Sequence, residues 1–372
     1  MSTVTVDLIA AARPNFMKVA PLYHALIREP WCNVRLVHTG QHYDKNMSDT
    51  FFTDFNLPKP HLHLNVGSGT HAEQTAGVML AYEKVCLEAP PDRIIVVGDV
   101  NSTMACTLVG VKLGIHVAHL EAGLRSRDRS MPEEINRLVT DSIADMLWTP
   151  SPDADENLKA EGVPESRIEF VGNIMIDSFE LLREKIETDT TRQSLGLDHA
   201  AYGIVTLHRP SNVDNPQTLQ MLVNELIAVS ERVPLVFPVH PRTRGRLVAA
   251  GLLAELECHA AVTLLEPLGY IQFMNLVVGA SVVITDSGGI QEETTYLGIP
   301  CLTLRENTER PITVTHGTNR LLRPSQLRTA VDTLPSTPRV DAVPPQFWDG
   351  HTADRVVQSL RRLVAEGGAS TS

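Results

Sequence analysis

The chain has 372 residues, of which 43% are hydrophobic and 20% charged, so it is a globular protein long enough for two hydrophobic cores rather than one. A net charge of −12 argues against a general nucleic-acid or anionic-membrane binder, and no run of about 18 apolar residues offers a membrane span. The opening residues lack a basic segment followed by an apolar one, so a cytoplasmic protein is expected, and five scattered cysteines (Cys32, Cys86, Cys106, Cys258, Cys301) without a C-x-x-C pair indicate neither a disulfide framework nor a metal site.

Taken in order, Val4 to Ala11 reads as a first strand, broken by Ala12-Arg13-Pro14-Asn15 before a helical pattern from Phe16 to Ile27. Arg13 falls at the carboxyl edge of that strand, where a guanidinium either grips phosphate through two parallel hydrogen bonds or simply lies on a turn. Val34 to His38 is a second strand that runs into the polar loop Thr39-Gly40-Gln41-His42-Tyr43-Asp44. An amphipathic helix from Thr70 to Glu88 precedes Arg93-Ile-Ile-Val-Val, whose Ile/Val run marks a strand covered on both faces and hence a parallel sheet. Asp99 stands at its end, with Ser102 and Thr103 placed to cap the helix that runs to Gly114. His116 to Leu120 repeats the arrangement and delivers Glu121. One acid at a strand end reads as a cap as readily as a ligand, but two at successive ends share one edge of a sheet and suggest a common cleft.

Pro132 opens a further helix, with Glu133 and Glu134 in a first turn where carboxylates suit the macrodipole; both read as solvated helix formers, and Arg137 shares a face with Glu133. The first half closes at Gly172 to Asp177, giving domains of residues 1–175 and 176–351. In the second half, Tyr202 to Thr206 delivers His208 and Arg209, Pro234 to Val239 delivers His240, and Val262 to Leu265 leads into an exit loop from Pro267 to Phe273. The strand Ser281 to Thr285 then meets Asp286-Ser287-Gly288-Gly289. That turn is either a phosphate cradle at a helix start or an ordinary capped turn. Ile290 to Leu297 is helical and ends at Gly298, and Glu292 or Glu293 can face a ribose diol. An amphipathic helix over residues 352–366 ends the chain before a low-complexity tail. Strands alternating with helices in both halves give an α/β fold class of two doubly wound, Rossmann-like domains facing a cleft. No G-x-G-x-x-G follows the first strand, so a dinucleotide loop is not indicated.

Across nearly the whole chain these residues resemble the bacterial, non-hydrolysing UDP-N-acetylglucosamine 2-epimerase family. The likeness runs through Arg13-Pro14, Thr39-Gly-Gln-His42, Gly98-Asp99, His119-Leu-Glu121-Ala-Gly-Leu-Arg125, Pro132-Glu133-Glu134-Ile-Asn136-Arg137, Gly172-Asn173, Thr206-Leu-His208-Arg209, Pro238-Val-His240-Pro, Asp286 to Glu293 and Thr308-Glu309-Arg310-Pro311. It implies a GT-B-like architecture whose last helix crosses back to the first domain. It also implies cofactor-free inversion at C2 of UDP-GlcNAc to give UDP-ManNAc, through elimination and re-addition of UDP across a 2-acetamidoglucal, in the service of polysaccharide biosynthesis. Asp99, Glu121, Glu133 and His208 then match catalytic positions. Arg13, Arg137, Ser287, Gly288, Gly289, Glu293 and Phe273 match substrate-binding ones, and a homodimer is implied. The chain departs from the family pattern at Ala11-Ala12 and Asn15-Phe16 around Arg13-Pro14, at Pro210 and at Asp44, positions that border the second UDP-GlcNAc site of regulated members. A sister epimerase of UDP-2,3-diacetamido uronic sugars and a GT-B glycosyltransferase are the competing readings.

Overall fold

The computed structural model describes residues 3–11, 13–40, 52–198, 200–334 and 343–369. Gln41, His42 and Asp44 lie outside the described residues, and so does the side chain of Arg13, whose backbone begins the helix Arg13–Leu26. The chain divides into two compact units, Met1–Leu181 with Gln346–Ser372, and Leu182–Pro345. The helix Ile174–Thr188 contains the first boundary; Ile176, Phe179, Leu182 and Ile186 recur along it at helical spacing, and all are buried.

The first unit is built on seven strands: β1 (Val4–Ala10), β2 (Cys32–His38), β3 (Leu62–His63), β4 (Arg93–Val97), β5 (His116–Leu120), β6 (Met146–Thr149) and β7 (Ile168–Phe170). All pair in parallel, in the order β3-β2-β1-β4-β5-β6-β7. Ile94, Ile95, Val96 and Val97 are buried, as a strand covered by helices on both faces requires. The order reverses between β1 and β4, and at such a switch point the strand ends diverge to leave a crevice on the carboxyl side. Asn15 braces that point: its Oδ1 accepts from the N–H of Ala11 after β1 (3.0 Å), and its Nδ2 donates to the carbonyl of Val97 at the end of β4 (2.7 Å).

The second unit repeats the design with β8 (Gly203–Thr206), β9 (Leu235–Pro238), β10 (Val262–Leu265), β11 (Val282–Thr285), β12 (Cys301–Thr303) and β13 (Asn319–Leu321), parallel in the order β10-β9-β8-β11-β12-β13. Its switch point lies between β8 and β11. Leu219, Leu222, Val223 and Leu226 of the helix Pro216–Ser230 recur at helical spacing and join the core formed by these strands.

Local chemistry explains where sequence and structure part. Thr70 caps the helix His71–Glu88 in a reciprocal box with Glu73. Ser102 and Thr103 do not cap. The helix Asn101–Lys112 starts from Val100 without a side-chain cap, Thr103 donates to the Val97 carbonyl (3.0 Å), and Ser102 pairs with Thr39 (2.9 Å), so both hydroxyls tie strand ends together instead. The expected exit loop ending at Phe273 is in its second half a helix, Tyr270–Gly279, whose Tyr270, Met274 and Val277 are buried at helical spacing.

From Gln346 the chain returns to the first unit. Asp177 accepts the N–H groups of Thr352 (3.1 Å) and Ala353 (2.7 Å), satisfying the start of the final helix Thr352–Ala369. Trp348 donates its indole N–H to the Pro150 carbonyl (3.0 Å), and Trp148 donates to Ser359 (2.9 Å). Gly172, at φ +99°, lies so close to Phe347 that a Cβ would meet its carbonyl oxygen at 2.2 Å.

Candidate active site

The carboxyl edge of β4 and β5 gathers the acids of the first unit. Asp99 follows β4 and accepts from Arg137, a buried guanidinium on the helix Pro132–Ile143. Arg137 pairs on its other side with Glu134 (2.7 Å), three residues back, and not with Glu133 as shared helical spacing suggests. Glu134 is not a solvated helix former. At 2% exposure it accepts the Ser126 N–H (2.9 Å), the Ser126 hydroxyl (3.0 Å) and the Arg127 N–H (2.9 Å), and so pins the preceding loop. Burial works to raise its pKa, but the Ser126 N–H and the Arg137 guanidinium outweigh it and hold the carboxyl below its ordinary value. Glu133 has no hydrogen bond or ion pair among the described residues. With Asp99, His71 and Gln74 it lines a cavity of about 210 Å³.

Glu121 follows β5 at φ +70°, the left-handed region that a non-glycine residue occupies at a cost of roughly 1–3 kcal/mol. Its carboxylate is buried and forms a salt bridge with Lys18 on the helix Arg13–Leu26, while Oε1 has no partner among the described residues. Behind it, His119 makes a 2.6 Å bond from Nδ1 to Asp141 and a 2.8 Å bond from Nε2 to the Gly98 carbonyl. Both partners are hydrogen-bond acceptors. Burial opposes ionisation of Asp141, yet the charges of His119 and Arg125 hold its carboxyl below the ordinary range.

In the second unit the switch point carries His208, after β8, and Asp286, after β11. Asp286 is fully buried and accepts from the backbone N–H of His208 (3.0 Å) and of Arg209 (2.9 Å), from Asn212 (3.1 Å) and from His208 Nδ1 (3.0 Å). Burial raises its pKa, but His208 and these donors prevail and depress it. A carboxylate at Nδ1 fixes the tautomer and leaves Nε2 of the half-exposed ring for a ligand. The turn Ser287-Gly288-Gly289 opens the helix Gly289–Leu297, whose first N–H groups lack intrahelical acceptors. Ser287 spends its own N–H inward on Thr285 (2.9 Å), so the open donors belong to the glycines. A side chain at Gly288 would displace its neighbours: a Cβ would stand 2.7 Å from Glu309 Oε1 and 3.0 Å from an Arg310 amino group, so the Glu309–Arg310 pair would have to shift. Arg310 pairs with Glu309 (2.6 Å) and with Glu292 of the same helix (2.8 Å).

Glu293 is buried against Tyr270, whose hydroxyl donates to it (2.6 Å), and Phe273 is half-buried one turn along the helix from Tyr270. Burial first, then the charge of Glu292, pushes the Glu293 carboxyl from 4.5 up to about 7 against the opposing hydrogen bond from Tyr270. A raised folded pKa means that the folded state holds the proton more tightly, so stability is full below pH 4.5 and falls as pH rises from there through about 7. Glu293→Gln is therefore expected to flatten the stability profile across that window and to raise stability at pH 8 by on the order of 2 kcal/mol, measured by urea unfolding at several pH values. An unchanged profile would show that the Glu293 carboxyl is ionised without penalty.

Lys18, Asp141, Tyr270 and the keystone role of Glu134 were not legible, because each contact joins residues distant in the chain or depends on which way one helical turn faces. Only Arg310 and Glu309 carried a signal, as part of the Thr308-Glu309-Arg310-Pro311 motif. Among the described residues no group of three or more His, Cys, Asp or Glu side chains could hold a metal ion, and no helix is long and apolar enough to cross a membrane.

A profile of the UDP-N-acetylglucosamine 2-epimerase family matches residues 24–361. The chain belongs to this family. It is 40% identical over 365 residues to the UDP-N-acetylglucosamine 2-epimerase of Methanocaldococcus jannaschii, covering 95% of this chain and 98% of that one. It is 37% identical over 362 residues to the UDP-2,3-diacetamido-2,3-dideoxy-D-glucuronate 2-epimerase of Pseudomonas aeruginosa, covering 95% and 99%. The crystal structure of the M. jannaschii UDP-GlcNAc 2-epimerase in complex with UDP-GlcNAc and UDP superposes with a TM-score of 0.87 over 96% of this chain and 99% of that one. A sucrose-phosphate synthase from Thermosynechococcus elongatus, 14% identical with a TM-score of 0.64, shares the GT-B-like fold alone. These family relatives are epimerases, and the chain is accordingly an isomerase.

Proposed function

We propose that the protein interconverts UDP-GlcNAc and UDP-ManNAc without hydrolysis. In the forward direction a base takes the proton from C2 of the sugar, the C–H electron pair becomes the C1–C2 double bond, and the C1–O bond breaks with its electrons leaving on the β-phosphate oxygen of UDP. In the return, C2 receives a proton on the opposite face and the UDP oxygen bonds C1 again. Atoms and charge balance without a redox cofactor.

The observation that carries this reading is the set of acids at the ends of β4 and β5. Simple glycosyl transfer has no need of proton chemistry at C2, whereas inversion there must remove a proton from one face and supply one to the other. Asp99, Glu121 and Glu133 are assigned to those transfers. Arg137 positions Asp99, and Lys18 holds Glu121. In the second unit, His208 and the N–H groups of Gly288 and Gly289 are assigned to the diphosphate, where charge develops as the C1–O bond breaks. Ser287 and Arg13 join them on the family likeness, with Glu293 on the ribose and Phe273 among the substrate-binding residues. A cytoplasmic homodimer completes the reading on the same ground.

Gly288→Val is expected to weaken UDP binding by at least tenfold, read by calorimetry, because its side chain collides with Glu309 and Arg310 and drives the turn off the anion. Unchanged affinity would remove this turn from the diphosphate site.

Proton NMR of UDP-GlcNAc with the protein in D₂O tests the reaction. UDP-ManNAc with deuterium at C2 is the expected product, and an unaltered spectrum overturns the assignment. The Pseudomonas relative makes a UDP-2,3-diacetamido uronic sugar the second substrate to try. Turnover of that sugar alone would keep the chemistry and change the substrate.

A further inference from the structure

A cavity of about 410 Å³ opens beside the carboxyl ends of β12 and β13 and extends to Asn212, whose amide also donates to Asp286 at the switch point, and a second of about 320 Å³ adjoins it. The two share Arg305, Glu306, Leu322 and Arg323 in their walls, and the larger adds Ser211, Ser325 and Thr218, whose hydroxyl also donates to Asn215 (3.2 Å). The larger falls within the roughly 300–1,000 Å³ of small-molecule pockets.

Arg305 is what sets this cavity apart. Its side chain is 4% exposed, and it donates from one amino nitrogen to Glu309 at 2.8 Å. Its other amino nitrogen is buried and has no acceptor among the described residues. An unmade hydrogen bond from a buried charged donor is costly, on the order of 1–3 kcal/mol or more, and the guanidinium fork presents paired N–H groups to an oxyanion once it turns from Glu309 toward the cavity. Arg323 lies in the same wall with a side chain 76% exposed. Its only ion pair among the described residues is a loose 3.7 Å contact with Glu306, itself exposed, so it is free to turn toward a ligand. Two guanidinium groups with three hydroxyls beside an apolar floor are the complement of a phosphate carried on a polyol.

We propose that this cavity is a second ligand site, for a small phosphate-bearing molecule, with Arg305 and Arg323 on the phosphate and Ser211, Thr218 and Ser325 on the hydroxyls of whatever carries it. The site is independent of the substrate reading given above. It stands 2.8 Å from that machinery through one shared acid, because the Glu309 that accepts from Arg305 also accepts from Arg310 beside Gly288. An anion drawing Arg305 away from Glu309 would therefore be felt at the glycine turn.

The test is calorimetric titration of the full chain with two probes, inorganic phosphate and glucose 6-phosphate, each with and without saturating UDP. Glucose 6-phosphate is expected to bind with one-to-one stoichiometry, more tightly than inorganic phosphate, and to remain bound in the presence of UDP. Arg323→Glu and Ser325→Trp, both at exposed positions, are expected to weaken it by at least tenfold while leaving the melting temperature unchanged. Equal affinity of the two probes reduces the site to a binder of free phosphate. Binding that UDP displaces and that both variants retain belongs to the glycine turn and overturns the proposal, and so does the absence of binding by either probe.

Discussion

Glutamine in place of Glu121 is expected to slow incorporation of deuterium at C2 of UDP-GlcNAc by about 10²-fold or more, with UDP affinity retained. The carboxylate sits at the end of β5 with one oxygen held by Lys18 and the other without a partner among the described residues, which is the geometry of a group kept in place and left able to exchange a proton. Removing its charge also strands Lys18, whose side chain is only 12% exposed, so part of any loss in activity is expected to come from weakened folding. The double variant Lys18→Met with Glu121→Gln separates the effects. It is expected to recover stability in urea unfolding without recovering exchange. Recovery of both would make Glu121 a structural acid only.

Asp286→Ala is expected to have the largest effect on stability, a loss of about 3–5 kcal/mol, since it leaves the N–H groups of His208 and Arg209, the amide of Asn212 and the imidazole of His208 without their common acceptor. Turnover is expected to fall by about 10²-fold or more as the imidazole loses its fixed orientation. The depressed pKa of Asp286 gives the pH dependence its sign. Its stabilisation is fully present above the ordinary value of 3.8 and is lost as pH falls below that, through the lower folded value. Asp286→Asn is expected to remove that acid-side loss while costing stability at neutral pH, and a variant as stable as wild type at pH 7 would show that the carboxylate charge contributes nothing.

The two parallel sheets were legible because their signals are local. The run Arg93 to Val97 has the composition of a covered strand, and Gly298 ends its helix in the left-handed conformation at φ +70°. The strand-end acids were legible for the same reason, since a strand followed by an acid places that acid on the carboxyl edge whatever surrounds it. What surrounds it was not. Glu133 and Glu134 look alike in sequence, and a rotation of about 100° along the helix sends one to an open cavity and buries the other beneath the Ser126 loop. Ser102 and Thr103 stand where capping hydroxyls are expected, yet the neighbouring strand ends claim them. Pro267 and Gly269 give the segment the look of a loop and mask the apolar spacing that begins at Tyr270, and Phe273 lies on that helix and not on the expected loop.

The first unit is built from two segments that flank the second unit in sequence. Its last helix is capped by Asp177, its indoles reach across to the other segment from both sides, and Gly172 makes room for Phe347, so residues 3–181 leave the ribosome as an incomplete domain. The second unit is contiguous and can close as soon as Pro345 has emerged. At roughly 5–20 residues per second, the opening half of the protein waits on the order of ten seconds or more for its final helix, with the ground beneath Trp148 uncovered. The half assigned to nucleotide binding is thus ready first, and the half assigned to proton transfer is completed only after residues that follow it in sequence have emerged.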